Sequence, residues 1–472
     1  MKRRNFLKSF SAAGLVAGTP ISQKAFAAAN YTGPIYITLQ ARGGWDVTSL
    51  CDPKTNYDYT DRNGNTENIL VNNWSKGEDE SGEEIDIPAS VVPNSEITYA
   101  PFGANEKLFT NHGDKMMIIN GIDMQTNSHE AGTINTWSGR FSEGLPTFTA
   151  LVAQAYGQGL PMAFVSNGGY AATSGIISPT LLSGNSGRLR DLATPNKVDT
   201  SRETDTKKFV GTESLDLIKQ YKQARLDRLL ARNGLPYTQK VLSQFASAQS
   251  ENNDLESLKL QLRKGYEEGD ELQENWVTAD SYDSGNGFLD QIELTLAAGA
   301  ANVMVAADLR TGGFDTHGNH DTRHANALST LTDGVDFLWQ RAKYLGIEDR
   351  IRLVIGSEFS RTPKYNDGNG KDHWPVNSMI FMQKPESTLT QGREIQYGKV
   401  FGQSSSGHRA LQLNSLDLSP IAFGEEDDNN PMPTLQPRHI HRILRRWAGI
   451  ENDPFSDKFD LNADDLPVEN II

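Results

Sequence analysis

Short apolar runs rich in β-branched residues end repeatedly in glycine or serine followed by an acid or a histidine. Pro34-Ile35-Tyr36-Ile37-Thr38-Leu39-Gln40 leads into Arg42-Gly43-Gly44-Trp45-Asp46, and residues 302–308 lead into Gly312-Gly313-Phe314-Asp315-Thr316-His317. Residues 351–355 lead into Ser357-Glu358-Phe359-Ser360-Arg361-Thr362, and Asp372-His373 precedes a further run at 378–382. Such runs read as buried strands. Helical periodicity over 288–300 and 325–345 separates them, as parallel neighbours require, since each needs a crossover. The fold class expected is therefore α/β, with a central mostly parallel sheet flanked by helices. Ligands of such sheets bind at the C-terminal ends of the strands, so these motifs are expected to meet at one rim.

The remaining elements fit the same plan. Residues 115–120 read as a strand that runs into Gly121-Ile122-Asp123-Met124-Gln125-Thr126-Asn127-Ser128-His129, with a helix starting near Ser128. Residues 148–156 read as a helix, 161–166 as a strand and 438–448 as a basic helix. Residues 52–105 are polar and turn-rich, an insertion over the site, and 205–275 form a charged helical excursion. One domain is expected over 28–450, followed by an acidic tail at 451–472 that lies on the surface.

Lys2-Arg3-Arg4-Asn5-Phe6-Leu7-Lys8, the mildly apolar stretch 10–21 and Ala25-Phe26-Ala27 have the form of a twin-arginine signal peptide over 1–27. The expected location is periplasmic or secreted. The apolar stretch falls short of the roughly 20 residues of a membrane span. Removing 1–27 takes away five basic and no acidic residues, so the net charge moves from −15 to −20. Such a surface repels nucleic acid and anionic membranes, although a bound cation reverses the sign locally. Cys51 is the single cysteine, which rules out an intrachain disulfide and a multi-thiolate metal site.

The chemistry available is that of carboxylates and imidazoles, which suits divalent cations. Asp315 and His317 stand two apart, so in extended backbone both face one way. His320 and His324 follow; His320 is a second candidate ligand, and His324 is expected to face solvent or cap a helix. Glu358 is a ligand, a base, or the partner of Arg361, whose planar fork also matches a phosphate or sulfate oxygen. His373 is a candidate ligand with Asp372 behind it, and Asp46 completes a metal pair or simply ends a turn. Ser128 and Thr126, at a helix start, are candidate nucleophiles or ordinary caps. His129 beside them ligates, orients or packs. His439 and His441 on the basic helix are expected to face solvent or a partner.

Together, Arg42–Asp46, Ser128-His129, Gly312–His317, Ser357–Thr362, Asp372-His373 and the closing Ile443-Leu444-Arg445-Arg446-Trp447-Ala448-Gly449 resemble the domain-of-unknown-function 1501 family of the alkaline phosphatase/sulfatase superfamily. The resemblance implies an alkaline phosphatase-like three-layer sandwich and one or two divalent ions: zinc, manganese, magnesium or calcium. It places Asp46 as the first-strand carboxylate, Ser128 or Thr126 at the nucleophile position, and Asp315 with His317 or His320 and His373 around one ion. Glu358 then serves the other. The implied reaction is hydrolysis of a phosphate or sulfate ester, with Ser128 or a metal-bound water attacking. The implied partner is a small anionic ester or a sulfated or phosphorylated glycan. A binding or accessory protein that keeps the fold without turnover is the alternative. The chain departs from the superfamily in the two-residue Asp315–His317 spacing and in Ser357-Glu358, where an Asp-His pair is usual.

Overall fold

Strand β1, Ile35–Ala41, sends Ile35, Ile37, Leu39 and Ala41 to one side and Tyr36, Thr38 and Gln40 to the other, and all seven residues are buried. A strand covered on both faces needs two flanking layers, and the computed structural model has them. It describes residues 31–60, 63–182, 196–198, 206–232, 234–235, 238–239, 242, 287–414, 417–421 and 433–472. The signal-peptide expectation for 1–27 and most of the excursion beyond residue 232 lie outside the described residues.

The central sheet adds β2 (Met116–Asp123), β3 (Phe164–Ser166), β4 (Pro179–Leu181), β5 (Ala306–Thr311), β6 (Ile351–Gly356), β7 (Val376–Gln383) and β8 (Val400–Phe401). Their order is β4-β3-β5-β1-β6-β7-β2-β8. All neighbours are parallel except β7, which runs antiparallel to both β6 and β2. The alternation read over 325–382 had implied another parallel strand there. Residues 357–375 contain no helix to carry the chain back, so the strand returns beside its predecessor. The entry of β7 therefore lies at the edge where β1, β5 and β6 exit.

One face is covered by α1 (Asn105–His112), α5 (Gly287–Ala300) and α6 (His320–Tyr344), packed on the Ile35/Ile37/Leu39 side of β1. The other is covered by α2 (His129–Ser138), α3 (Phe148–Tyr156) and α7 (Pro437–Trp447). Helix α4 (Thr212–Leu230) is exposed along its length and buries only Leu226. The insertion forms small hairpins, including Tyr57–Thr60 with Thr66–Ile69, and touches α6 through an Asn73 to Asp321 hydrogen bond of 2.7 Å. Cys51 is a buried free thiol.

Past α7, the chain forms α8 (Pro454–Lys458) and then seats Leu461, Ala463, Leu466, Val468 and Ile471 in the core. The tail thus turns its apolar side chains inward and leaves most of its polar residues outside. Asp465 pairs with Arg438 and Asp464 with Arg442, which accounts for the basic character of α7. His439 and His441 are buried, against the expectation of solvent exposure. His439 caps its own helix and meets Asp465, and His441 meets the Thr136 carbonyl of α2. Burial pushes the His441 imidazole down to about 3.

Asp308 on β5 is buried between the sheet and α3, where Thr38 and Thr149 donate to Oδ1 at 2.8 and 2.7 Å. Oδ2 has no partner among the described residues. Burial outweighs both hydroxyls and raises the carboxyl to about 7. The folded protein therefore holds this proton where the unfolded chain has lost it, and stability falls as pH rises from about 4 through 7. Asp308→Asn keeps the acceptor without the charge. Thermal denaturation at pH 8 should show it more stable by roughly 2–4 kcal/mol, with no gain at pH 4. Equal stability at both pH values would contradict this.

Candidate metal centre

The exits of β1, β5 and β6 and the entry of β7 bring four loops to one edge, between the N-termini of α2 and α6. Their backbones touch. Gly43 has φ +121°, and a Cβ there would sit 2.4 Å from the amide nitrogen of Asp315. A Cβ on Gly370 would sit 1.9 Å from the His317 carbonyl oxygen. Only glycine permits either approach.

At the centre stand His129, Asp315 and His373, whose ligand atoms all lie within 4.8 Å of one another. His317 joins two of them: its Nε2 is 2.9 Å from His373 Nε2 and 3.1 Å from Asp315 Oδ1. His373 Nε2 is 3.5 Å from Asp315 Oδ1, and His129 Nε2 is 3.7 Å from Asp315 Oδ2. Each imidazole is fixed from behind. His129 Nδ1 donates to Glu358 Oε1 at 2.7 Å, His317 Nδ1 to Asp372 Oδ1 at 2.7 Å, and His373 Nδ1 to the Asn127 carbonyl at 2.7 Å.

These partners fix the tautomers. Burial raises the Glu358 carboxyl, but bonds from His129, Gln40 and Gly43 outweigh it and hold the group below its ordinary range. The His317 bond lowers Asp372 against a smaller effect of burial. Both are ionised acceptors, and a carbonyl only accepts. Each Nδ1 thus carries a proton, and each ring turns its Nε2 inward. Burial keeps His373 in its neutral form. Two Nε2 atoms 2.9 Å apart beside a carboxylate need a proton or a cation between them. Atoms about 2.0–2.2 Å from one ion at angles of 90–110° are about 3–3.5 Å apart, which matches the 2.9, 3.1 and 3.5 Å among His317, His373 and Asp315 Oδ1, while His129 stands slightly farther out at 3.7 Å. The donor set fits a divalent ion, and imidazoles backed by carboxylates or carbonyls are the usual form of such a site. Asp315 and His317 retain side-chain exposures of 50% and 46%, so the centre opens to solvent and to ligands.

The other sequence candidates sit around this centre. Glu358 lies behind His129 and also accepts from Gly43 N and Gln40 Nε2, at 2.9 and 3.1 Å. Arg361 is fully buried, with bonds to the carbonyls of Gly44 (2.7 Å), Lys371 (3.0 Å) and Gly43, and to Asp315 Oδ1 at 2.8 Å. It faces Asp315 rather than open solvent. Burial raises Asp315, and the Arg361 bond and charge overcome this to hold it low. Asp46 is sealed in a separate nest with Lys371, His320, Thr48 and Ser49. His320 donates from Nε2 to Asp46 at 3.1 Å and accepts at Nδ1 from Thr316 Oγ1 at 2.7 Å, which leaves no free lone pair. His324, expected to face solvent or cap a helix, is buried and stacked on His320 with ring centres 4.9 Å apart, because it shares the core face of α6 with Ala327, Leu328 and Leu331.

Ser128 caps α2, its Oγ accepting from Ala131 N at 3.5 Å, and Thr126 Oγ1 accepts from Ser128 N. Among the described residues neither hydroxyl bonds to an imidazole or carboxylate. The sequence left His129 open as a ligand, an orienting group or a packing residue. What identifies it is the close approach of α2 to the end of β6, which no local pattern announces. Asp372 backs His317, not the adjacent His373.

The sequence matches the family described as "Protein of unknown function (DUF1501)" over residues 35–406, and the chain belongs to that family. No curated protein matches it. Similar solved structures include Ps i-CgsB in complex with k-i-k-neocarrahexaose, 8% identical over 91% of this chain and 75% of that one, TM-score 0.33. The lipoteichoic acid synthase LtaP from Listeria monocytogenes is 8% identical over 80% and 70%, TM-score 0.31. Alkaline phosphatase from the Antarctic bacterium TAB5 is 10% identical over 78% and 95%, TM-score 0.30. Likenesses this low carry no functional argument, which rests on the site itself.

Proposed function

We propose that the protein is an exported, metal-dependent hydrolase of phosphate or sulfate esters, with its ion held by His129, Asp315, His317 and His373. The observation that carries this is the inward convergence of three Nε2 atoms on one carboxylate, each ring fixed by an oxygen behind it. Three imidazoles and one carboxylate favour an ion such as zinc over manganese, calcium or magnesium, which suit oxygen-rich sets. Such an ion supplies fixed positive charge opposite the oxygens of a phosphoryl or sulfuryl group.

The chain's own groups supply the rest. The N-terminal end of α2 adds partial positive charge for an anion. Ser128 at that end, or a water, is the attacking oxygen, which bonds to phosphorus or sulfur as the ester oxygen leaves. Glu358 and Asp372 keep His129 and His317 in the tautomer that faces the centre, and Arg361 keeps Asp315 ionised and in place. The substrate class is a small anionic ester or the ester groups of a sulfated or phosphorylated glycan. Twin-arginine export to the periplasm or beyond fits the leader, and no described helix is long and apolar enough to cross a membrane. The lack of a base bonded to Ser128 or Thr126 favours one other reading, a protein that binds such anions without turning them over.

Metal analysis of untagged protein, followed by a panel of aryl phosphates and sulfates, tests the proposal. Ion-dependent turnover that disappears in Asp315→Ala supports hydrolysis. Equal rates in both proteins refute it, and binding without product supports the second reading.

A further inference from the structure

Lys371 stands one residue before Asp372 and two before His373, and its side chain has no exposed surface. A buried ammonium is costly unless it is fully paired. Here Nζ donates to Asp46 Oδ2 at 2.6 Å and to Asn72 Oδ1 at 2.6 Å. Asp46 is saturated in turn. Its Oδ1 accepts from Thr48 N and Oγ1 at 2.9 and 2.6 Å, and its Oδ2 also accepts from His320 and from Ser49 at 3.1 and 3.2 Å. No lone pair of Asp46 remains for an ion.

The backbone of Lys371 reaches the metal centre from both sides. Its N–H donates to the Thr316 carbonyl at 3.1 Å, between Asp315 and His317. Its carbonyl accepts at 3.0 Å from Arg361, the guanidinium that holds Asp315. One buried residue therefore joins the end of β1 and the polar insertion, through its side chain, to the 315–317 and 372–373 segments, through its backbone.

We infer that Lys371 is the positioning residue of the centre. Its ammonium, docked on Asp46 and Asn72, sets the spacing between Asp315/His317 and Asp372/His373, and as a built-in cation it satisfies Asp46 so that the chain takes one ion rather than two. This rests on the metal-centre reading above. A lysine in a solvated loop would leave His317 and His373 free to drift apart. Anchored here, the loop can place two Nε2 atoms 2.9 Å apart before any ion arrives.

The test is titration of apo-protein with Zn²⁺ and with Mn²⁺ against a competing chelator, with melting curves run in parallel. The native chain should bind one equivalent. Lys371→Met should bind about 10- to 100-fold more weakly, the usual effect of losing a group that orients ligands. The control is Arg341→Met, which breaks the buried Arg341–Glu293 pair (2.7 and 2.8 Å). Arg341 lies 21 residues after His320 in α6, roughly 30 Å along the helix. It should lower the melting temperature yet leave ion affinity unchanged, which separates positioning from general destabilisation.

Absence of any ion in the native chain overturns the metal-centre reading itself. Two equivalents overturn the single-ion assignment. One equivalent with unchanged affinity in Lys371→Met, or an equal loss in Arg341→Met, overturns the positioning role. Should Lys371→Met fail to fold, Asn72→Ala decides, because it removes one acceptor and keeps the ion pair. A several-fold weaker ion supports the inference, and an unchanged one overturns it.

Discussion

Asp315→Ala is expected to lose its ion at concentrations that saturate the native chain. Among the described residues Asp315 is the only carboxylate at the centre of the cluster, and it lies within 3.7 Å of the Nε2 atoms of all three histidines. Without it, three neutral nitrogens must hold a divalent charge alone, and the buried Arg361 guanidinium, no longer countered, repels that charge. Binding free energies of roughly 10–16 kcal/mol are usual for tight zinc sites. Removing the charged member of four ligands should take about a quarter of that, a loss on the order of 10²- to 10³-fold in affinity. Calorimetric titration of apo-protein reads this directly. Asp372→Asn, which disturbs only the orientation of His317, should lose about 10- to 100-fold. A variant at Asp315 that binds as tightly as the native chain would leave the assignment without its main charge.

Arg361→Met carries the second large effect, and it falls first on stability. The guanidinium donates to three backbone carbonyls from two loops and to Asp315. Methionine matches the length of the side chain but none of its donors, so the carbonyls of Gly43, Gly44 and Lys371 are left buried and unpaired. A loss of about 3–5 kcal/mol follows, seen as a melting temperature lower by about 5 °C or more. Arg361→Lys should recover little, because an ammonium cannot span the carbonyls that the planar fork reaches together. Ion affinity should fall as well, since Asp315 loses the group that orients it. A variant with native melting and native affinity would show that these contacts do not hold the loops.

Six of the eight sheet strands were legible because they leave strong local marks; β4 and β8, at three and two residues, are too short to do so. Ile35–Ala41 and Ile351–Gly356 are apolar, β-branched and closed by glycine or serine, and the helices between them bear clear periodicity. The direction of β7 was not legible, because it depends on the missing crossover in 357–375 rather than on the strand's own residues. The same division runs through the site. Asp315, His317 and His373 stand at strand ends and are brought together at one edge. Asp46 and Glu358 have the same residue types at similar positions, yet one is enclosed with Lys371 and the other stands behind His129. Nothing in the local sequence distinguishes a carboxylate that faces an ion from one that faces an ammonium or an imidazole; that is decided by contacts across some 300 residues. Lys371 gave no signal at all, since a lysine between Gly370 and Asp372 reads as an ordinary loop residue.

The central claim is that one cation sits among His129, Asp315, His317 and His373. A crystal grown with zinc and measured on both sides of the zinc absorption edge tests it most directly. The account predicts a single anomalous peak about 2.0–2.2 Å from the three Nε2 atoms and an Asp315 oxygen, with Lys371 still on Asp46. A peak at Asp46 or Glu358 instead, or four well-ordered side chains with no peak between them, would contradict it.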